Sequence, residues 1–295
     1  MEVPGPVGAF DTPAPPVSMS GRDTEAVRRH PRFRAAVETY AATNLTRYGA
    51  LGTLEHWLVN DMGRASLSGA IFVLDAVNRL TPAALMSLGP VATGEVSRGR
   101  ARLFLQQAVD RDFIERIGPG VRLASDTPLR ATGRFHSLMA DILHVALEAV
   151  AVLAPEAAPA LDQMARRPFV QQLSACVGRI VALHPDLFPL ASPVQLFQAR
   201  NGGHQILEAL ILRQPAERER LLESCAYSIS ALARAARCSR PHVIQLLRDA
   251  KAQGLLRFEG GVLTLEPALS EAVEVYYANL FAAVRAAAAS TLPKG

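Results

Sequence analysis

The sequence predicts a mainly α-helical protein, and three observations carry that expectation. Hydrophobic residues make up 49% of the chain and aromatics only 6%, so the interior must be built from Ala, Leu and Val, a mixture that favours helices over sheets. Long stretches at 34–45, 129–153, 169–182 and 268–289 are helix-forming in composition and apolar spacing. The chain is also written twice, each copy closing a run of helices with a short β-hairpin.

The repeat is legible in three ordered blocks. Residues 69–82 (GAIFVLDAVNRLTP) match 202–215 (GGHQILEALILRQP) at an offset of 133, which sets Leu74 on Leu207, Asp75 on Glu208, Ala76 on Ala209 and Pro82 on Pro215. Residues from Ser97 (SRGRARLFLQQAVDRDFIERIG) lie over those from Ser239 (SRPHVIQLLRDAKAQGLLRFEG) at an offset of 142. The second copy therefore carries nine extra residues between Pro215 and Ser239. Upstream, His30-Pro31-Arg32-Phe33 echoes Arg166-Arg167-Pro168-Phe169. The expected domain plan is a disordered Pro-rich tail over 1–27, a first repeat over 28–154, a linker over 155–162 where Pro155 and Pro159 break a helix, and a second repeat over 163–290.

The second copy gives the clearer local pattern. Residues 230–236 (SALARAA) suit a short helix, Arg237-Cys238 a tight turn, and Ser239 the N-cap of a second helix. Pro241 fits the first turn of that helix, Val243, Leu246, Leu247 and Ala250 form its apolar stripe, and Gly254 ends it. Two β-prone runs, 255–258 and 262–265, flank Glu259-Gly260-Gly261 and read as a hairpin. In the first copy Ser97 is the matching cap, and Leu103, Phe104, Leu105 and Val109 supply the apolar face. Phe113-Ile114 then leads through Gly118-Pro119-Gly120 into Val121-Arg122-Leu123 as a second hairpin. The helix before it, within 85–94, is interrupted by Gly89-Pro90.

Helix, turn, helix and hairpin in this order resemble the winged helix-turn-helix proteins, and within them the MarR-like regulators of multiple antibiotic resistance. The residues that carry the resemblance are Ile229-Ser230-Ala231-Leu232-Ala233, Ser239-Arg240-Pro241-His242-Val243 and Gly254-Leu255-Leu256. They cover about a tenth of the chain, or a fifth counting both copies. The family's Asp-x-Arg of the wing is missing from 258–264. The resemblance implies two winged helix-turn-helix units joined by a helical pseudo-dimer core. It further implies binding to double-stranded DNA as a transcriptional regulator, with repression the expected sign. A bacterial protein acting in the cytoplasm on the nucleoid is expected, as a single-chain pseudo-dimer or a homodimer, with a possible small-molecule effector and no cofactor.

A recognition helix reads bases with the outward residues near its N-terminus. Those are Arg240, His242 and Gln245 in the second copy, beside the capping Ser239, and Arg98, Arg100 and Arg102 in the first. Arg suits guanine and Gln suits adenine, whereas Arg234, Arg248 and Lys251 are placed to touch phosphates. From 234 to 257, Arg234, Arg237, Arg240, Arg248, Lys251 and Arg257 face a single acid, Asp249. From 95 to 116, Arg98, Arg100, Arg102, Arg111 and Arg116 face Glu95, Asp110, Asp112 and Glu115. The second unit is thus the expected stronger binder.

Other chemistry finds little support. The net charge of +4 permits nucleic-acid binding without requiring it. Three cysteines without C-x-x-C spacing argue against a disulfide scaffold or a zinc site. Asp141 and His144, three apart, lack a third ligand, and Gly202-Gly203-His204 lacks the Lys-Ser/Thr of a phosphate loop. His56-Trp57 fits a core position better than an effector pocket, and Cys238 fits a small turn residue better than a redox sensor. No nucleophile elbow or cofactor fingerprint suggests an enzyme. The apolar stretch 142–153 is too short to span a bilayer. The alternative function is a tandem winged-helix scaffold that binds other proteins.

Overall fold

A computed structural model describes residues 20–118, 123–215 and 219–292. After α1 (Gly21–Arg28), the first copy runs α2 (Phe33–Ala50), α3 (Thr53–Val59), α4 (Met62–Ala76), α5 (Pro82–Met86), α6 (Gly89–Ala92), α7 (Arg98–Asp110), β1 (Ile114–Arg116), β2 (Leu129–Ala131) and α8 (Gly133–Leu153). A 3-10 turn at Pro155–Ala157 and α9 (Ala158–Asp162) lead to the second copy. It runs α10 (Arg167–Leu183), α11 (Gln195–Gln198), α12 (Gly203–Ile211), β3 (Ser224–Ala226), α13 (Ile229–Ala235), α14 (Arg240–Ala252), β4 (Leu256–Glu259), β5 (Val262–Leu265) and α15 (Pro267–Thr291). β1 and β2 form an antiparallel pair, and β3, β5 and β4 form a three-stranded antiparallel sheet in that order.

The two copies match in hydrogen-bond detail. Ser97 Oγ accepts from Arg100 N at 3.3 Å, as Ser239 Oγ accepts from His242 N at 3.3 Å. Just past α7 and α14 sits a left-handed residue, Asp112 (φ 58°) and Gly254 (φ 69°). The next amide turns back into the helix, Phe113 N to Ala108 O and Leu255 N to Ala250 O, a C-terminal motif that satisfies late carbonyls. Thr132 N then bonds Phe113 O at 3.0 Å, and Glu266 N bonds Leu255 O at 2.9 Å, at the starts of α8 and α15.

Several expectations change. The first hairpin is far longer than the sequence suggested: β1 pairs with Leu129–Ala131, Leu123 is not in a strand, and Pro119, Gly120, Val121 and Arg122 lie outside the described residues. Residues 129–131 are consequently strand, and the helix expected from 129 starts at Gly133, because Thr132 caps it by accepting from Phe135 N. The nine extra residues of the second copy supply β3, whose Cys225 faces Leu263 across the sheet. In the expected tail, residues 1–19 are not described, but 21–28 form a helix. Ser20 N and Ser20 Oγ both donate to Asp23 Oδ2 at 2.8 Å at the start of α1, Val27 is buried, and α1 lies on α15, where Arg28 reaches Glu274 at 3.9 Å. The expected linker is likewise ordered, with Ala157 and Ala160 buried.

The core joins the copies crosswise. α2 of the first copy packs on α12 of the second, α10 of the second packs on α4 of the first, and α8 meets α15. Aromatic rings fill one side of this crossing, with Tyr40 and Tyr277 centroids 5.4 Å apart and Phe33 and Phe281 6.4 Å apart. The acids aligned by the repeat, Asp75 on α4 and Glu208 on α12, are both buried, and Glu208 is tied directly to the other copy. Asn44 Nδ2 donates to both Glu208 oxygens at 2.7 and 2.9 Å. Asp75 lies 2.9 Å from His136 Nε2, which lies 2.7 Å from Arg167 Nη2. A guanidinium only donates, so that imidazole nitrogen serves Arg167 as acceptor or Asp75 as donor, one at a time.

α8, at 21 residues with a mean hydropathy of 1.5 over its most apolar window, is long and apolar enough to cross a membrane, more so than the stretch 142–153 alone suggested. Here it packs against α2, α4 and α15, with half of that window buried.

Candidate nucleic-acid interface

α14 is positioned by its apolar stripe. Val243, Leu246, Leu247 and Ala250 are buried, while Arg240, Gln245, Arg248 and Lys251 are exposed on the opposite side. α13 precedes it through a turn whose left-handed Arg237 (φ 49°) lets Cys238 N reach back to Ala233 O. Arg234 is exposed on α13. Among the described residues, Arg234, Arg240 and Arg248 make no ion pair, so three exposed cations of this unit are not neutralised by a described acid.

The remaining sequence-predicted residues are more committed. Gln245 Nε2 donates to Asp249 Oδ1 at 2.8 Å, while Arg200 holds the other oxygen of Asp249 at 2.8 Å. Lys251 Nζ stands 5.3 Å from the Phe258 ring centroid. His242 is half-buried, and its Nε2 is shielded from solvent, so it projects less than its position at the helix start suggested. Ser239 spends its hydroxyl as the cap. Two of the basic residues from 234 to 257 are structural: Arg237 donates to Tyr48 O and Leu51 O at the end of α2, and Arg257 pairs with Glu266 at 2.7 Å.

In α7 the expected trio separates. Arg98 and Arg102 are exposed and make no ion pair with any described residue. Arg100 instead turns back to Asp61, with 2.6 Å between Nη2 and Oδ1. Asp61 is buried and also caps α4 by accepting from Arg64 N at 3.0 Å, and a buried carboxylate demands such partners. No local pattern signals this pair, whose members lie 39 residues apart. The position aligned with Asp61 in the second copy is Val194, so that carboxylate has no counterpart beside His242.

The other singled-out residues are occupied elsewhere. Trp57 is partly buried, stacked on Phe104 at 5.2 Å, with the Arg111 guanidinium 3.9 Å from its ring centroid. His56 lies against Tyr48, and burial lowers its pKa. Asp141 takes Arg47 at 3.2 Å and His144 takes Glu148 at 3.0 Å. Burial pushes the Cys238 thiol up, opposite to what a reactive thiolate needs.

Next to Asp61 and Arg100, Glu95 Oε1 accepts from Ser66 Oγ at 2.8 Å. Burial raises its carboxyl above the ordinary value, and this outweighs the opposing Ser66 hydrogen bond and Arg100 charge. A carboxyl raised on folding stabilises the fold below its unfolded pKa, and that contribution is lost as pH rises through the folded value. Glu95→Gln, which keeps an acceptor for Ser66, should raise Tm at pH 7 and leave it unchanged at pH 4. A lower Tm at pH 7 would mean that the attraction to Arg100 dominates.

No protein-family model matches this chain, and neither a curated protein nor a solved structure is significantly similar to it.

Proposed function

We propose that this chain is a sequence-specific double-stranded DNA-binding transcriptional regulator, a single-chain pseudo-dimer whose two units are winged helix-turn-helix modules. The observation that carries the reading is the exposed Arg240 and Arg248 on α14, with Arg234 on the helix before it, none of them paired with an acid among the described residues. Support for the module comes from the order α12, β3, α13, α14, β4, β5, with α14 capped and backed by its apolar stripe. Support for the pseudo-dimer comes from the crosswise packing of α2 on α12 and α10 on α4. Two recognition helices in one particle suit two half-sites about 34 Å apart. The half-sites are unequal, because α7 offers Arg98 and Arg102 while Arg100 serves Asp61.

The test is selection from a random duplex library at moderate salt, with wild type beside an Arg240→Ala, Gln245→Ala double variant. Wild type should enrich a motif with two unlike half-sites, and the variant should lose one of them. Removal of a bidentate arginine weakens binding by roughly 10-fold or more. No enrichment, with only weak salt-sensitive binding, would shift the reading to a scaffold that binds other proteins.

A further inference from the structure

One side chain on α7 does not fit a helix face that only positions phosphates. Leu103 is 58% exposed, the highest value among the large hydrophobic side chains described. It sits six residues past the Ser97 cap, on the solvent side of a helix whose Ala101, Phe104, Leu105 and Ala108 are buried. Arg102 is its neighbour in sequence, and Gln106, one turn on, is exposed beside it. The matched caps and C-terminal turns of α7 and α14 fix the register between the two helices, and that register places Leu103 where the second copy has Gln245. Both side chains therefore occupy the same outward position of their helices.

A base edge in the major groove offers one apolar feature, the 5-methyl group of thymine; every other group there is a hydrogen-bond donor or acceptor. An amide at the Gln245 position can bond adenine, and an isobutyl group cannot. We infer that Leu103 is a specificity-determining residue that recognises a thymine 5-methyl group in the half-site contacted by α7. This rests on the DNA-binding reading above and adds to it the chemistry of one half-site. Removing solvent from that methyl and from the leucine tip gives the contact its favourable sign. Arg98 and Arg102 on the same exposed face hold the backbone near it by charge.

The test uses the full chain and the duplex enriched by selection. Each thymine is replaced in turn by deoxyuridine, which removes the methyl and leaves every hydrogen-bonding group, and affinity is read by fluorescence anisotropy. Replacement at one or two positions of the half-site that survives in the Arg240→Ala, Gln245→Ala variant should weaken binding about fourfold, the worth of one buried methyl-sized group. Leu103→Ala should bind thymine and deoxyuridine duplexes alike, and Leu103→Gln should shift the preference at that position toward adenine. Both substitutions fall on an exposed side chain, and unchanged circular dichroism will show that the fold is kept. Selective binding that is indifferent to every deoxyuridine, or a methyl effect that persists in Leu103→Ala, overturns the inference and leaves the DNA-binding reading standing. Absence of selective binding by wild type overturns both. Monomerisation of a self-associated wild type by Leu103→Ala, without any methyl effect, overturns it as well and would assign the residue to contact between copies.

Discussion

Gly203→Ala is expected to destabilise the protein by about 3 kcal/mol or more, with a fall in Tm of roughly 6–10 °C. A Cβ at Gly203 would lie 1.9 Å from the carbonyl oxygen of Phe197. The obstacle is backbone at the end of α11, so no side-chain rotation relieves it. Its neighbour Gly202 has φ 67°, and a Cβ there would meet Ala236 O at 2.4 Å, at the end of α13. Close packing of α11, α12 and α13 therefore explains the Gly-Gly pair, which holds α13 and hence the start of α14 in place. The repeat supplies the control. Gly69 is aligned with Gly202 but lies inside the unbroken α4, and a Cβ there would meet nothing within 4 Å. Gly69→Ala should instead stabilise by about 0.5–1 kcal/mol, as expected for a helix interior. Thermal melts of the two variants decide the matter: equal shifts in the same direction would refute this account.

The contrast between those glycines shows what the sequence could and could not convey. Repeat matching found the paired helices and the apolar stripe of α14, whose burial is dictated by local periodicity. In α7 it found Phe104 and Leu105 but misplaced Leu103, which was expected on the apolar face and is 58% exposed, while Ala101 and Ala108 fill the stripe instead. It placed Ser97, Ser239 and Gly254 correctly, since caps are chosen by chemistry within one turn. It did not see that the first hairpin runs on to Leu129, because the strand partner of Ile114–Arg116 lies across a long loop and only three residues pair. It also counted Arg100 and Arg237 as charge for a ligand. Their partners, Asp61 and the carbonyls of Tyr48 and Leu51, are remote in sequence and meet them only after folding. The basic balance of a segment thus overstated what its surface presents. Arg240, Arg248, Arg98 and Arg102 remain outward because no described acid is placed to claim them.

A second large effect is expected at the crossing of the copies. Glu208 is fully buried on α12, and Asn44 from α2 donates to both of its carboxyl oxygens, while His204 Nε2 lies 3.2 Å away. Asn44→Ala strips the carboxyl of two hydrogen bonds without returning it to water, and should cost about 2–4 kcal/mol. Glu208→Leu should cost a similar amount by orphaning the Asn44 amide. The double variant Asn44→Leu, Glu208→Leu should cost about 2 kcal/mol less than the sum of the singles, because an apolar pair leaves neither group unsatisfied. Additive losses would show that the two residues do not act on each other. The readout can also separate the copies, since Trp57, the chain's single tryptophan, lies in the first and Glu208 in the second. If the crosswise helices make one cooperative unit, Glu208→Leu lowers the midpoint seen by Trp57 fluorescence as much as that seen by far-ultraviolet circular dichroism. A fluorescence transition that stays in place while the circular dichroism transition moves would mean that the copies unfold separately. In that case the exchange of α2 and α10 would orient α7 and α14 without coupling the stability of the two copies.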